Sequence, residues 1–374
     1  MRVAFYAPLK SIDHPVPSGD RRMARLLVQA LQSAGHEVVP TCRLRSFDRA
    51  GDHARQARLA ALGERCAERV AQRLAGQPPD AWLTYHAYHK APDWLGPALC
   101  DCFGCAYLLA EASFAPKQRN GAWALGHARM AACLARADVV LAMAKRDTAC
   151  LAPLMRADAK LDLLKPFIDV TPTAAASSPA QAVARILTVA MMRADVKRIS
   201  YRLAIDTLAE LRALGWHWQI VGDGPARDEI RAYAEARLGS ERFTMLGALE
   251  GEALAQAYAA ADLFFWPGLN EAYGMVFLEA QSNGLPVVAA REGGIPDVVA
   301  DQQTGLQAAP ASHALAGALR TLLCIPNRRV AMVHAAQAYV TAVHALPQAS
   351  AQLSGALAQA CTIHRLRQRE PCHG

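Results

Sequence analysis

No apolar run in this chain stays uncharged for the ~18 residues that a membrane-spanning helix needs. The N-terminus, "MRVAFYAPLK", is a short apolar strand ended by Lys10. It has no long apolar core and no small-residue cleavage site, so it does not read as a signal peptide and a cytoplasmic location is expected. Lysine is absent between Arg43 and Arg73, where eight arginines are only partly balanced by Asp48, Asp52, Glu64 and Glu68. That stretch reads either as a solvated helix face or as a face that meets anionic membrane from the inner side. No aromatic-studded basic motif accompanies it, so nucleic acid is not an expected partner. A second Cys-x-x-Cys is missing as well. The ten cysteines are mostly single and set in apolar surroundings, which suits buried thiols in a reducing compartment. The cluster "CDCFGC" (Cys100, Cys102, Cys105) lacks the second pair of ligands that zinc requires, and no metal is expected. Asp-x-Asp, the Walker P-loop, Gly-x-Ser-x-Gly and His-Glu-x-x-His are all absent, so metal-using nucleotide-sugar, kinase, hydrolase and zinc-protease readings lose their main support.

What is present is a chain of 374 residues, 53% apolar and 20% charged, enough for two domains with sizeable cores and too apolar for general disorder. Apolar runs alternate with helical patterns through both halves, which predicts parallel strands and doubly wound sheets. In the first half, strands are expected at "RVAFYAP", "HEVVPTC", "AWLTYH", "AYLLAE" and "DVVLAMA", with helices at 19–35, in the Arg/Ala stretch, near Pro92 to Leu99, around Ala122 to Arg136 and from Lys145. "TPTAAASSPAQA" reads as a linker. Alternation then resumes with "RILTVAM", a helix from Tyr201, "HWQIVG", "RFTMLG", "DLFFWP", a helix from about Tyr273 or Gly274, and "LPVVAA". The expected divisions are an N-terminal domain over 1–167, a linker over 168–183, a second domain over 184–326 and a helical tail over 327–374 that returns to the first. The halves echo each other: "ARADVVLAMA" and "AAADLFFWP" each place Ala-Asp before an apolar strand. Two such domains would face each other across a cleft, with ligands beyond the carboxyl ends of the strands.

The chemistry-bearing residues follow strands. Glu271 lies in "GLNE", four residues past "DLFFWP", and Glu279 lies inside the next helix. Glu271 reads either as an acceptor for ligand hydroxyls or as a carboxylate favoured by the helix dipole. Free amides of Gly274, Met275 and Val276 would form an anion site at that helix N-terminus. Arg193 and Lys197, in "MMRADVKR", are suited to neutralising a diphosphate; the plain alternative is surface charge, which is the reading for Arg198. Gly19, in "SGD" before the first helix, would let backbone approach a phosphate. "VGDGP" is a Gly-x-Gly without dinucleotide spacing, so NAD is not supported. "REGGIP" either lines the cleft or makes a simple turn.

Glu271-x7-Glu279, set in "FFWPGLNEAYGMVFLEAQSNGLPVVAAREGGIPDVV" with "IVGDGP", "FTMLG" and "AQAYAAADLFF" upstream, resembles the signature of retaining glycosyltransferase family 4. The resemblance covers Arg185 to about Ala309, and "SGDRRMARLLVQALQSAGHEVV" fits more loosely. It implies a GT-B architecture of two Rossmann-like domains. It implies transfer of a sugar from a nucleotide diphosphate-sugar, with retention and without a bound metal or other cofactor, to a glycan, lipid-linked or small hydroxylated acceptor, as in polysaccharide biosynthesis. By position, Glu271 would contact the donor sugar and Glu279 the ribose. Arg193 and Lys197 would hold the diphosphate, helped by backbone at Gly274 to Val276 and at Gly19. Met245 and Leu246 would lie near the base. Many members carry a Thr-x-His after the fourth N-terminal strand; here "LLAEASF" puts Ala112 at the His position, leaving Glu111 and His86 as acceptor-side candidates. A catalytically silent nucleotide-sugar-binding scaffold is the alternative that this loss permits. A nucleotide-sugar epimerase is the third reading, and the Glu-x7-Glu spacing argues against it.

Overall fold

The computed structural model describes residues 1–16, 18–169, 183–272 and 274–369. Tyr273 and most of the linker expected over 168–183 lie outside the described residues. The chain divides into two compact units, 1–165 with 346–374, and 166–345.

The first unit holds strands β1 (Arg2–Tyr6), β2 (Glu37–Cys42), β3 (Ala81–Ala87), β4 (Ala106–Ala112), β5 (Val139–Ala142) and β6 (Lys160–Leu163), with helices α1 (Gly19–Ser33), α2 (His53–Leu74), α3 (Gly96–Phe103), α4 (Ala124–Arg136) and α5 (Thr148–Leu151). The sheet order is β2-β1-β3-β4-β5-β6, and every paired strand is parallel. The second unit holds β7 (Ala184–Val189), β8 (Trp216–Val221), β9 (Phe243–Gly247), β10 (Leu263–Phe265), β11 (Val287–Ala290) and β12 (Gly305–Ala308), with α6 (Val196–Ala209), α7 (Arg227–Leu238), α8 (Gly251–Ala259), α9 (Met275–Ser282), α10 (Ile295–Val298), α11 (Ser312–Cys324) and α12 (Pro326–Val343). Its order is β12-β11-β10-β7-β8-β9, again all parallel. The expectation of two doubly wound α/β domains therefore holds for the sheets.

Central strands read as unbroken apolar runs because helices cover both of their faces. Residues of β4 and β10 are buried throughout, whereas the edge strand β9 alternates covered and open positions and the edge strand β2 buries only Thr41 fully. β6 and β12 are the strands that the sequence reading did not name; β6 shows why. It is a four-residue edge strand carrying a Lys160–Asp162 pair at 3.7 Å, and only Leu161 and Leu163 face the core. Charge on an edge blocks further pairing and also hides the strand pattern.

The Ala-Asp echo has a structural cause. The Asp138 carboxylate accepts the Tyr107 amide of β4 at 2.8 Å, and Asp262 accepts the Arg185 amide of β7 at 2.7 Å. Asp80 does the same for Arg2 of β1 at 2.7 Å. Each aspartate precedes a strand and caps an amide at the start of the strand beside it, the first residue of β1 and the second of β4 and β7.

Two helices begin elsewhere than expected. α3 starts at Gly96 instead of near Pro92, because buried Asp93 turns the chain first, accepting the Leu95 and Gly96 amides at 2.8 Å each. α6 starts at Val196 instead of Tyr201, capped by Asp195, whose side chain accepts the Lys197 amide at 3.0 Å. Lys197 is thus in a helical turn and not in the loop before it. The tail expected over 327–374 divides: α12 packs on α9 in the second unit, while α13 (Leu346–Arg369) packs on α1 and β4 in the first. Arg367 of α13 donates to Asp138 at 2.8 Å and Ser350 to the Ala30 carbonyl at 2.7 Å.

Candidate active site

In an open parallel sheet, ligands sit beyond the carboxyl ends of the strands where the winding reverses. In the second unit the winding reverses between β7 and β10, which are sheet neighbours. β7 leads into Arg193 and Lys197, and β10 leads into the Glu271 loop. Adjacent strands therefore bring together residues 74 positions apart: the Lys197 ammonium is ion-paired with Glu271 Oε1. Their side chains are only 13% and 18% exposed, so the pair is largely screened from water.

Trp266, fully buried at the end of β10, closes this arrangement from below. Its Nε1 donates to Glu271 Oε1 at 3.4 Å, and the Lys197 Nζ lies 5.6 Å from its ring centroid. Tyr201 of α6 packs against the same ring, centroid to centroid at 4.8 Å. The Glu271 backbone is pinned on both sides. Its amide donates to the Gly268 carbonyl at 3.1 Å, and its carbonyl accepts from Gly294 at 2.9 Å. Gly293 (φ +62) approaches so closely that a Cβ there would lie 2.4 Å from the Glu271 carbonyl oxygen. "REGGIP" is thus a brace for Glu271, and its glycines serve that contact. Gly222 and Gly224 act similarly: a Cβ on either would strike the Ala190 or Met192 carbonyl, in the loop that carries Arg193. The Gly-x-Gly of "VGDGP" packs two strand-end loops.

A lysine in the first turn of a helix opposes the helix dipole, at a cost of about 0.3–1 kcal/mol. Its pairing with Glu271 offsets that cost and holds a cation at the strand ends. Arg193 does not join the pair. It meets Asp195 at 3.2 Å, with both side chains about half exposed (51% and 52%), an arrangement worth little to stability. Glu279 receives a hydrogen bond from buried Tyr258 at 3.0 Å. The chain enters α9 through Gly274 (φ 64), and the amides of the first residues, Met275 and Val276 among them, have no acceptor within the helix. Met245 and Leu246 are consecutive in β9 and so face opposite ways; Met245 packs on the core and Leu246 is exposed. Gly19 opens α1 behind its cap Ser18 and is exposed, with open space where a Cβ would stand.

In the first unit the winding reverses between β1 and β3. There, Asp20 of α1, His86 of β3 and Glu111 of β4 converge: His86 Nδ1 lies 3.0 Å from Asp20 Oδ1 and 3.1 Å from Glu111 Oε1. His86 and Glu111 both have positive φ, 55° and 57°, an uncommon conformation for residues other than glycine, while the pairing resumes in register at Ala87 and Ala112. Burial pulls the His86 pKa down, but the Glu111 charge and the Asp20 hydrogen bond outweigh it, and the net shift is upward. For Asp20, burial pushes up while the His86 contact prevails and holds the carboxyl below its ordinary value. His89 moves the other way, down to about 4, through burial and the cations of Lys90, His127 and Lys117. The sequence reading named Glu111 and His86 but missed Asp20 and Trp266. Asp20 stands beside Gly19 in "SGD", and nothing in one dimension links it to His86.

The two histidines predict a pH optimum of stability. Folded His86 keeps its proton to higher pH than an unfolded histidine, so its contribution is complete below about pH 6.5 and is lost as pH rises through its raised value. Folded His89 resists protonation, so stability falls as pH drops from about 6.5 toward 4. Urea unfolding across this range checks both: the gap between wild type and His86→Gln should narrow as pH rises, and His89→Gln should flatten the acid limb.

Of the three thiols of "CDCFGC", Cys100 and Cys105 interact with each other. Cys100 and Cys105 are buried, and Cys102 is exposed.

Residues 186–339 match the family described as glycosyl transferases group 1. The match lies within the second unit. The chain is 36% identical over 179 residues to a D-inositol 3-phosphate glycosyltransferase of Mycobacteroides abscessus, covering 46% of this chain and 40% of that protein. It is 45% identical over 101 residues to the sulfoquinovosyl transferase SQD2 of Arabidopsis thaliana, covering 27% of this chain and 18% of that one. This chain thus spans less than half the length of either relative. Among solved structures, Alr3699/HepE of Anabaena in complex with UDP superposes with a TM-score of 0.73 at 17% identity, covering 96% of this chain and all of that one. The fold is that of the GT-B enzymes, with two parallel six-stranded sheets flanked by helices.

Proposed function

We propose that this protein is a retaining glycosyltransferase that moves a sugar from a nucleotide diphosphate donor to a hydroxylated acceptor. The observation that carries the reading is the shielded Lys197–Glu271 pair over Trp266, at the point where the second sheet reverses its winding. The UDP bound by the Anabaena structure and the transferase names of the relatives support it.

In this reading Lys197 meets the donor diphosphate and stabilises the charge that grows on it as the glycosidic bond breaks, as divalent cations do elsewhere. The N-termini of α6 and α9 add their positive ends, with the amides of Gly274, Met275 and Val276 facing phosphate oxygens. Glu271, released from Lys197 as the diphosphate takes its place, accepts hydrogen bonds from the sugar's hydroxyls. Glu279, oriented by Tyr258, takes the ribose, and Leu246 offers the base an exposed apolar surface. Arg193, half exposed and on a short side chain–side chain pair, is free to turn toward the phosphates at little cost. In the first unit Asp20, His86 and Glu111 are the acceptor-side groups. The His86 contact holds the Asp20 carboxyl below its ordinary value, and carboxylates accept hydrogen bonds from a hydroxyl. They stand in for the histidine replaced by Ala112.

Acceptor-dependent release of free nucleotide diphosphate from a panel of donor sugars tests the reading, with proton NMR of the anomeric coupling in donor and product. Release with an unchanged anomer is the expected result; an inverted anomer contradicts retention. Ala112 favours the silent scaffold as the second reading, and tight nucleotide-sugar binding with no release from any donor would establish it.

The basic face of α2 is proposed to bring the protein to the inner surface of a membrane. Among the described residues no helix is long and apolar enough to cross one, so any contact by these helices is peripheral. Arg58, Arg65 and Arg69 lie on one exposed stripe with Leu62, 39% exposed. Co-sedimentation with anionic vesicles should exceed that with neutral ones and fade with salt; equal binding to both contradicts the idea.

A further inference from the structure

The first unit contains a cavity of about 690 Å³ that shares no lining residue with Asp20, His86 or Glu111. It opens between the end of β1, the edge strand β2 and α2. Its apolar floor includes Phe5, Ala7 and Val70, and its rim carries Arg43, Arg69 and Arg73.

The charges on that rim are not neutralised. Asp13 is the one carboxylate lining the cavity, and it meets Arg43 at 2.8 Å in an exposed pair. Arg73 spends one arm of its guanidinium on the Thr41 carbonyl, at 2.5 Å, which fixes the direction of the rest. Arg69 has neither an ion pair nor a side-chain hydrogen bond among the described residues. Cys42 and Cys66 also line the cavity, and burial together with its partner thiol pushes Cys42 up to about 11, so it adds no negative charge at neutral pH. Three guanidinium forks against one carboxylate leave the cavity with a surplus of two positive charges.

We propose that this cavity binds a phosphate ester, with Arg43, Arg69 and Arg73 on the phosphate oxygens and the carbon body against Phe5, Ala7 and Val70. The chemistry selects phosphate over carboxylate. A carboxylate brings one negative charge on two coplanar oxygens, whereas a phosphate monoester brings close to two, matching the surplus on the rim, and presents three oxygens around a tetrahedral centre to several forks. The volume lies in the range of small-molecule sites and exceeds what inorganic phosphate fills, and the apolar floor requires a body attached to it. The ester is either a soluble phosphorylated compound or the headgroup of an anionic lipid. The inference does not rest on the sugar-transfer reading, and its test measures occupancy and not turnover.

The two thiols are built-in reporters. The rates at which N-ethylmaleimide modifies Cys42 and Cys66, read by mass spectrometry, should fall when the cavity is occupied, while exposed Cys102, Cys150 and Cys324 serve as internal controls. A ligand at ten times its dissociation constant leaves about a tenth of sites open and slows labelling about tenfold. Glycerol 1-phosphate is the soluble arm, phosphatidic acid vesicles the lipid arm, and glycerol and phosphatidylcholine vesicles the controls. Selective protection of Cys42 and Cys66 by either arm, absent in Arg69→Ala and strengthened in Asp13→Asn, is the expected result. Protection by glycerol 1-phosphate alone assigns a soluble ester, and by phosphatidic acid alone a lipid headgroup. No protection by either arm overturns the proposal, as does equal protection by the controls or protection that survives Arg69→Ala. Arg69 is exposed, so its replacement leaves the fold intact, and an unchanged melting temperature confirms this.

Discussion

Lys197→Ala is expected to slow sugar transfer by about 10²–10³-fold, the usual cost of removing one preorganised charge or donor from a transition state. The substitution removes the ammonium that faces the leaving diphosphate and leaves Glu271 beside the Trp266 indole without its cation. Activity and stability can be separated here. An unpaired carboxylate in a screened position costs about 1–3 kcal/mol, so the single variant should also unfold more easily. Pairing it with Glu271→Ala removes the stranded charge and should restore part of the stability while activity stays lost. Lys197→Arg should rescue little, because a planar fork does not fit a position shaped for a compact ammonium above an indole ring. Steady-state rates and urea midpoints on wild type, the two single alanine variants and the double variant complete the cycle, with Lys197→Arg measured beside them. A fall of less than about threefold in turnover for Lys197→Ala would place the leaving-group charge elsewhere, with Arg193 as the next candidate.

Asp138→Ala is expected to destabilise the protein by about 3–5 kcal/mol, the range for breaking a buried ionic network. Its side chain is completely buried, accepts the Tyr107 amide at 2.8 Å, and meets Arg367 at 2.8 Å, Arg156 at 3.1 Å and Arg136 at 3.5 Å. Removing the carboxylate takes a shared partner from three guanidinium groups, of which Arg136 keeps Asp101 and Arg156 keeps Asp158, and leaves the Tyr107 amide of β4 unpaired. It also releases α13, whose Arg367 anchors it to the sheet that it packs against, so limited proteolysis should cut α13 first in the variant. Asp262→Ala serves as the comparison. It plays the same capping role for β7 but meets one arginine, Arg185, at 3.5 Å, so a smaller loss is expected. Equal losses for the two variants would show that the strand cap dominates and that the arginine network adds little.

The two α/β sheets were legible because helix-covered parallel strands must be apolar on both faces, and such runs stand out against helical periodicity. The Ala-Asp echo was visible in the sequence and proves to be a strand cap. β6 was hidden because an edge strand needs only two apolar residues, and Lys160 and Asp162 break its pattern. The start of α6 was missed because "MMRADVKR" carries no apolar period; Asp195 as a cap was the available signal. In the site, Glu271 and Lys197 were nameable from their places after strands, but their meeting depends on β7 and β10 being neighbours, a fact of sheet order. The same holds for Asp20, His86 and Glu111, which come from three elements gathered at the other reversal point. Trp266 lay within "DLFFWP" and passed as strand core, since burial and a hydrogen bond to Glu271 cannot be told apart in one dimension.

The central claim is that the C-terminal unit holds a nucleotide diphosphate at the junction of β7 and β10. Thermal unfolding with UDP, GDP and ADP, each with and without magnesium, tests it most directly. A nucleotide at a hundred times its dissociation constant stabilises the fold by about 2.7 kcal/mol, which is readily seen as a melting shift. The account predicts a shift with one of the three, unchanged by magnesium, and sharply reduced in Lys197→Ala and in Glu279→Ala. Absence of a shift with all three, or a shift that both variants retain in full, would contradict it.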